Sequence, residues 1–339
     1  MRPVRGGGSG WEVTANDEAC MAGLLRFGAA TWRQCASRFY GDVSEVTQKR
    51  RLKYLRDVGW VRSEIGETWY GNVLWSTPAG ARVMADQMRV QVPPGGYPGH
   101  AALHRLAVTD LGFRMEAAGE LTLTEREVRA VEGQGRAHEL LTAAGVTPAE
   151  GLTDGAGIER HLATVVGADR TLHYPDLVHL RPGAGRHGMN AVEVEITPKT
   201  PHRARQVLLS YRDSGLYDRV LYFTTGQVSA QMQGYPDRDG NWRDGLLQQI
   251  GMYPSGVDPT DFVRTQKPLV VVRPVEAADK GVAYRLDMRQ APEASWVSRQ
   301  EWAVLRAKWE TWCEDHDTTE VPFLKWWQDV QRPLEATAR

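Results

Sequence analysis

Apolar and polar positions along the chain change period several times. From Thr14 to Met88 the apolar residues recur at helical spacing in TANDEACMAGLLRFG, AATWRQCASRFYG and SEVTQKRRLKYLRDVG. WVRSEI and NVLWSTPAG then read as two strands, and Pro78 opens a closing helix at its first turn, where a missing N–H costs nothing. The prolines and glycines of Val92–Gly99 cannot continue a helix. From Gly99 to Gly145 helical spacing returns, with Leu103, Leu106, Ala107 and Leu111 on one stripe and a second helix opened by Thr124. Beyond Thr171 the period shortens: HYPDLVHL, MNAVEVEI, DRVLYFTT and PLVVVRP are Val- and Leu-rich runs bounded by Gly and Pro. Between the second and third, Ala204, Val207, Leu208 and Tyr211 stripe a helix, so the order strand, strand, helix, strand predicts an α/β core in a chain that is α+β as a whole. Near the end, Trp302, Leu305, Trp309 and Trp312 lie behind a Ser298–Glu301 capping pattern. They predict an amphipathic helix whose rings dock on that core, with Trp326 and Trp327 closing the cluster, the alternative being a partner-binding or base-stacking surface. These breaks divide the chain into a disordered tail at 1–10, a first domain at 11–91, a linker at 92–99, an α/β domain at 100–290 and a tryptophan-rich helical segment at 291–339.

Composition narrows the function classes. Lys and Arg number 41 against 42 Asp and Glu, so a nucleic-acid surface has to be local rather than global. Cys20, Cys35 and Cys313 are too scattered for a disulfide framework or a paired-cysteine zinc site, which points to a reduced, cytoplasmic setting. No run approaches the roughly 20 apolar residues of a membrane span, and the basic, Gly-rich start lacks the apolar centre of a signal peptide. A phosphate-binding GxxxxGK loop is missing, which argues against nucleotide hydrolysis.

The third helix is asymmetric. Val46, Leu52, Leu55 and Val58 form an inward stripe, while Lys49, Arg50, Arg51, Lys53 and Arg56 crowd the other faces, opposed by Glu45 and Asp57. Gly59 ends it, and Gly66 and Gly71 supply turn chemistry for a hairpin, so a winged helix-turn-helix bound to duplex DNA is the natural assembly. Thr47, Gln48 and Arg51 are expected at base edges, with Lys49, Arg50 and Lys53 on phosphates. A homodimer is compatible with such a module, and a merely solvated helix face or a protein-binding winged helix is the alternative.

Candidate chemistry lies in the later strands. Along AVEVEITPK, Glu193, Glu195, Thr197 and Lys199 alternate with Val192, Val194 and Ile196. The Gly-rich RPGAGRHG folds the preceding strand back and carries Asp176 towards Glu193 or Glu195. Converging carboxylates repel unless a cation neutralises them, and oxygen ligands suit Mg²⁺ or Mn²⁺, which would activate water and stabilise charge on a phosphodiester. The plainer interpretation is a polar strand face. His100 and His104 sit four apart on a helix without an HExxH pattern, and His104 reads as a buried, hydrogen-bonded histidine. His138-Glu139 places a carboxylate that an accessory role near the acidic cluster would use, whereas Ser210, Cys35 and Tyr211 have no base at a meaningful spacing.

PD followed by acidic positions in a strand, then a helix and another strand, resembles the restriction-endonuclease-like PD-(D/E)xK superfamily. The ordered set LWSTPAG, LHRLAVTD, YPDLV, AVEVEIT, LLSY and RVLYFTT, between Leu24 and Thr225, resembles the replication-relaxation family of plasmids and integrative elements. That resemblance implies a mobile-element protein of replication or conjugative transfer, with a winged helix ahead of a nuclease-like domain. Asp176, Glu193, Glu195 and Lys199 would then be the catalytic set, the three acids holding Mg²⁺ or Mn²⁺. The pattern departs at the lysine, which normally follows the last acid by two residues: Lys199 must reach back, or Arg203 or Arg205 must supply the charge. Loss of cleavage with retention of the fold, leaving a DNA-binding regulator or adaptor, is the alternative.

Overall fold

The computed structural model describes residues 12–275 except 66–71, 147–151, 154–158, 162, 168–170, 185–186, 240, 260–261 and 264–265, and also residue 311. The expected tail at 1–10, the turn expected between Gly66 and Gly71, and the tryptophans Trp302, Trp309, Trp312, Trp326 and Trp327 of the expected C-terminal cluster lie outside the described residues.

Helix α1 (Ala15–Phe27) opens on a reciprocal cap between Thr14 and Asp17, and strand β1 (Ala30–Thr31) leads into α2 (Trp32–Phe39), capped likewise by Thr31 and Gln34. Helix α3 (Glu45–Asp57) starts at the Ser44 cap. Gly59, at φ 75°, then reverses the chain in a conformation that favours glycine. Strands β2 (Val61–Ile65) and β3 (Asn72–Ser76) pair antiparallel, and β3 also pairs with β1, giving the sheet order β1-β3-β2. Pro78 opens α4 (Pro78–Met84) as predicted, and Thr77 caps it.

The phase of α3 corrects the sequence-based expectation. Val46, expected inward, is 58% exposed, and Arg51, expected to reach DNA, is 8% exposed. The cause is a buried acid on α1. Arg51 Nε meets Asp17 Oδ1 at 3.1 Å, its Nη2 binds Asp17 Oδ2, and Nη2 also donates to the Glu12 carbonyl at 2.8 Å. Gln48, another expected base reader, turns back to donate to the carbonyls of Tyr40 and Val43 at 2.8 and 3.2 Å. Thr47 Oγ1 is engaged by Ser44 Oγ at 3.0 Å in the cap. The outward stripe is therefore Val46, Lys49, Arg50 and Lys53.

After a single 3-10 turn (Gly99–Ala101) come α5 (Ala102–Ala117), β4 (Leu121–Thr124), α6 (Glu125–Gly133) and α7 (Ala137–Ala143). Short strand pairs follow: β5 (Leu152–Thr153) with β6 (Glu159–His161), and β7 (Val165–Val166) with β8 (Leu172–His173). Then come β9 (Leu177–Leu180), β10 (Met189–Glu195), α8 (Pro201–Ser214), β11 (Arg219–Thr224) and α9 (Gly226–Gln233). The hairpin of β12 (Gly234–Pro236) and β13 (Trp242–Asp244), α10 (Leu246–Gln249) and β14 (Val270–Pro274) complete the described chain.

The four predicted strands all join one mixed five-stranded sheet, ordered β14-β11-β10-β9-β4. Strands β10, β11 and β14 run parallel, and β9 is antiparallel to both β10 and β4. The chain is thus a mixed α/β protein. Thr124 caps α6 with Glu127, as the sequence predicts, but LTLT just before it is an additional edge strand.

One buried cluster runs through both parts of the chain. The Phe27 and Phe113 rings meet edge to face at 4.9 Å. Thr109 Oγ1 donates to the Ala29 carbonyl at 2.8 Å, and Gln34 Nε2 to that of Leu106 at 2.9 Å. Arg26 bridges Glu127 and Glu116 at 2.7 and 2.5 Å. In the proline- and glycine-rich stretch between the parts, Val92 is buried, Gly95 lies against the Gly28 backbone and Tyr97 packs on Trp75 at 6.0 Å between ring centroids. Among the described residues no helix is long and apolar enough to cross a membrane.

Candidate functional site

The register of the β9–β10 hairpin sets Leu177 opposite Val192, so Asp176, one step earlier, comes opposite Glu193. Asp176 Oδ2 accepts the Val194 N–H at 2.8 Å, and His104 Nε2, from α5, contacts the same oxygen at 3.2 Å. Burial pushes this carboxyl up, but His104, the Val194 N–H and the charge of Lys199 outweigh it and hold Asp176 below the ordinary carboxylate range. Burial alone would lower His104, yet the Asp176 charge and hydrogen bond raise it above its ordinary value. His104 is hydrogen-bonded, as the sequence suggests, but it is only partly buried, its side chain being 35% exposed.

Glu193 is 3% exposed and doubly engaged. His173 Nε2 contacts its Oε1 at 2.8 Å, and the Tyr211 hydroxyl, from α8, donates to the same oxygen. Against the lowering effect of burial, Glu193 raises His173. Burial, then the Glu193 charge, pushes the Tyr211 phenol well up, which keeps it a protonated donor and removes it as a nucleophile. Tyr222, opposite Glu193 on β11, is raised by burial and by the Glu193 and Asp176 charges.

Strand β10 ends at Glu195, so Lys199 is no longer on the strand, but it returns to form an ion pair with Glu195. Arg203 and Arg205, the other expected sources of positive charge, stay exposed on α8. A cavity of about 10 Å³ lies beside this pair, lined by Glu195, Lys199, Val207, Tyr222, Gln231 and Met232 among others. Such a space is roughly that of one water. Glu139 does not approach the acids; it pairs with the exposed Arg136 at 3.2 Å. Ser210 Oγ donates to the Gln206 carbonyl at 2.8 Å, and Cys35 is wholly buried near Cys20.

Asp176, Glu193, Glu195 and Lys199 therefore come together, but each carboxylate is already bound by a protein donor. Among the described residues no group of three His, Cys, Asp or Glu is arranged to hold a metal ion. One oxygen of each acid is engaged, Asp176 Oδ2 by His104 and the Val194 N–H, Glu193 Oε1 by His173 and Tyr211, and Glu195 Oε2 by Lys199, so an Mg²⁺ or Mn²⁺ ion would have to compete with these donors. His173 carries no spacing signal in the sequence; only the fold reveals its place beside Glu193.

The second feature is the outer face of α3. Lys49 and Lys53 lie 2.5 Å from Glu45 and Asp57 in exposed pairs one helical turn apart. Arg50, between them, is exposed without a described ion-pair partner. Arg56 Nη1 donates to Ser63 Oγ of β2 at 3.1 Å. A groove of about 280 Å³ between α3 and β3 is lined by Trp32, Lys49, Leu52, Lys53, Arg56, Asn72 and Leu74.

Comparison of the chain with protein-family models, with curated proteins and with solved structures gives no match.

Proposed function

We propose that the chain binds duplex DNA through α3. The observation that carries this is the exposed stripe Val46, Lys49, Arg50 and Lys53, at i, i+3, i+4 and i+7 on one helix face. The order helix, strand, helix, helix, hairpin, with sheet order β1-β3-β2, supports a winged helix-turn-helix in which α3 enters the major groove. Arg50, exposed and without an ion-pair partner among the described residues, has the guanidinium that bidentate guanine recognition uses, and Val46 the apolar surface that suits a thymine methyl group. Lys49 and Lys53 exchange screened surface partners for phosphates, releasing counterions from the duplex. The resemblance in motif order supports replication or conjugative transfer of a plasmid or integrative element as the host process.

Replacing Lys49, Arg50 and Lys53 together with Ala tests the proposal. Duplex affinity should fall, and the slope of log affinity against log salt should flatten by about 0.9 for each phosphate that is no longer neutralised. An unchanged slope in the folded variant would move the DNA surface elsewhere.

A second reading is metal-dependent nicking. What favours it is the return of Lys199 to Glu195, which gathers the acids and the lysine of the nuclease-like pattern in one place. The protein partners on all three carboxylates favour the other side, a non-catalytic adaptor with a polar network in its sheet. Supercoiled DNA incubated with the protein and Mn²⁺ or Mg²⁺ separates them: nicking that disappears in Asp176→Ala supports the enzyme, and intact plasmid supports the adaptor.

A further inference from the structure

At the far end of the sheet from Glu195 lies a second polar cavity, of about 480 Å³, lined by Arg181, Asn190, Asp218, Arg219 and Lys267. It opens where β9 ends and where the parallel strands β10, β11 and β14 begin. Asn190 and Glu195 are five residues apart on β10, and at about 3.3 Å per residue this is roughly 17 Å. The cavity is therefore separate from the acidic network.

Among the described residues its charges are unbalanced. Arg181, Arg219 and Lys267 bring three cations, and none forms an ion pair with a described residue. Among the described lining residues Asp218 is the one acid, and its two oxygens accept the backbone N–H groups of His187 and Gly188 at 3.0 and 2.9 Å. That carboxylate is committed to holding the hairpin turn. Asn190, adjacent to Arg219 in the β10–β11 register, is 3% exposed, and its Oδ1 is buried without a hydrogen-bond partner. Buried amides in folded proteins are almost always satisfied, so an orphan in a cavity wall points to a ligand group.

We propose that this cavity binds a nucleotide: the three cations take its phosphate, and the Asn190 amide takes the base edge. Arg and Lys supply the donors that phosphate oxygens accept. A primary amide presents a donor and an acceptor side by side, the complement of a nucleobase edge. The volume falls within the range of small-molecule sites. The same unit occurs as a free nucleotide and at the 5′-phosphorylated end of a DNA strand.

Calorimetric titration of the full chain with inorganic phosphate, with deoxyadenosine monophosphate and with a short 5′-phosphorylated single strand tests the proposal. The mononucleotide should bind at least tenfold more tightly than phosphate. Arg181→Gln combined with Lys267→Gln, both at exposed positions, should weaken it at least tenfold, and adding Arg219→Gln should abolish it. Binding of the mononucleotide alone assigns a free nucleotide; binding of the strand, displaced by the mononucleotide, assigns a DNA end. No binding of any probe, equal affinity for phosphate and nucleotide, or binding undiminished in the folded double variant would each overturn the proposal. Duplex binding through α3 is read by its salt slope, so either proposal can fail alone.

Discussion

Arg50 and Arg51 are neighbours of one chemistry with opposite fates. Removing the Arg51 side chain leaves Asp17, which is fully buried, without its cation, and breaking a buried pair costs about 3 to 5 kcal/mol. Arg51→Ala should therefore lower the urea midpoint, whereas Arg50→Ala should leave the midpoint in place and weaken duplex binding. Nothing in the local sequence separates the two, because Asp17 lies 34 residues away and reverses the rule that arginines face water. The histidines make a pH prediction. His104 and His173 are raised in the folded state, so the stability they contribute is full below their ordinary value of about 6.5 and is lost as pH rises through the raised values. Asp17 is lowered because Arg51, Thr14 and Tyr40 outweigh the upward push of burial, and Asp176 is lowered as described above. Their contribution is present above the ordinary carboxylate range and is lost as pH falls through the depressed values. Thermal midpoints should peak between these limits, and His173→Gln should flatten the decline on the alkaline side; an unaltered decline would remove that histidine from the linkage.

At the scale of elements, most of the fold was legible where the period was unambiguous. The runs MNAVEVEI and DRVLYFTT, the helix starts at Thr124 and Pro78, and the Gly-rich hairpin that brings Asp176 beside Glu193 all appear where the pattern places them. Strand β4 was not legible, since four residues that merge into a capping box carry too short a period to separate from a helix start. The partners of the acids were hidden for a different reason. His104 comes from α5 and Tyr211 from α8, and only helix-to-sheet packing decides which oxygen each one meets. Helix α5 also fixes α1 at close range: a methyl group at Gly112 would run into the Phe27 ring. Gly112→Ala should destabilise the protein by about 1 to 3 kcal/mol, the usual cost of overpacking a tight core. An unchanged denaturation midpoint would mean that the Phe27 ring moves aside freely.

For the whole molecule, the continuous buried cluster predicts cooperative behaviour. The described residues should unfold in one calorimetric transition, and two resolved transitions, one moved by Gly112→Ala and one not, would contradict the shared core. The break at Val92–Gly99 is visible in the sequence as a composition change, but the contacts of Phe27, Ala29 and Gln34 with α5 are long-range and leave no mark in any local window. These contacts also bear on how such a chain can be inherited. A recombination that joined residues 12–91 to an unrelated gene would deliver α3 with the dry side of α1 and α2 bare to water and prone to clump. The smallest cassette that can change hosts intact has to carry α5 with it, so the proline-rich break is a poor place for evolution, or an engineer, to cut.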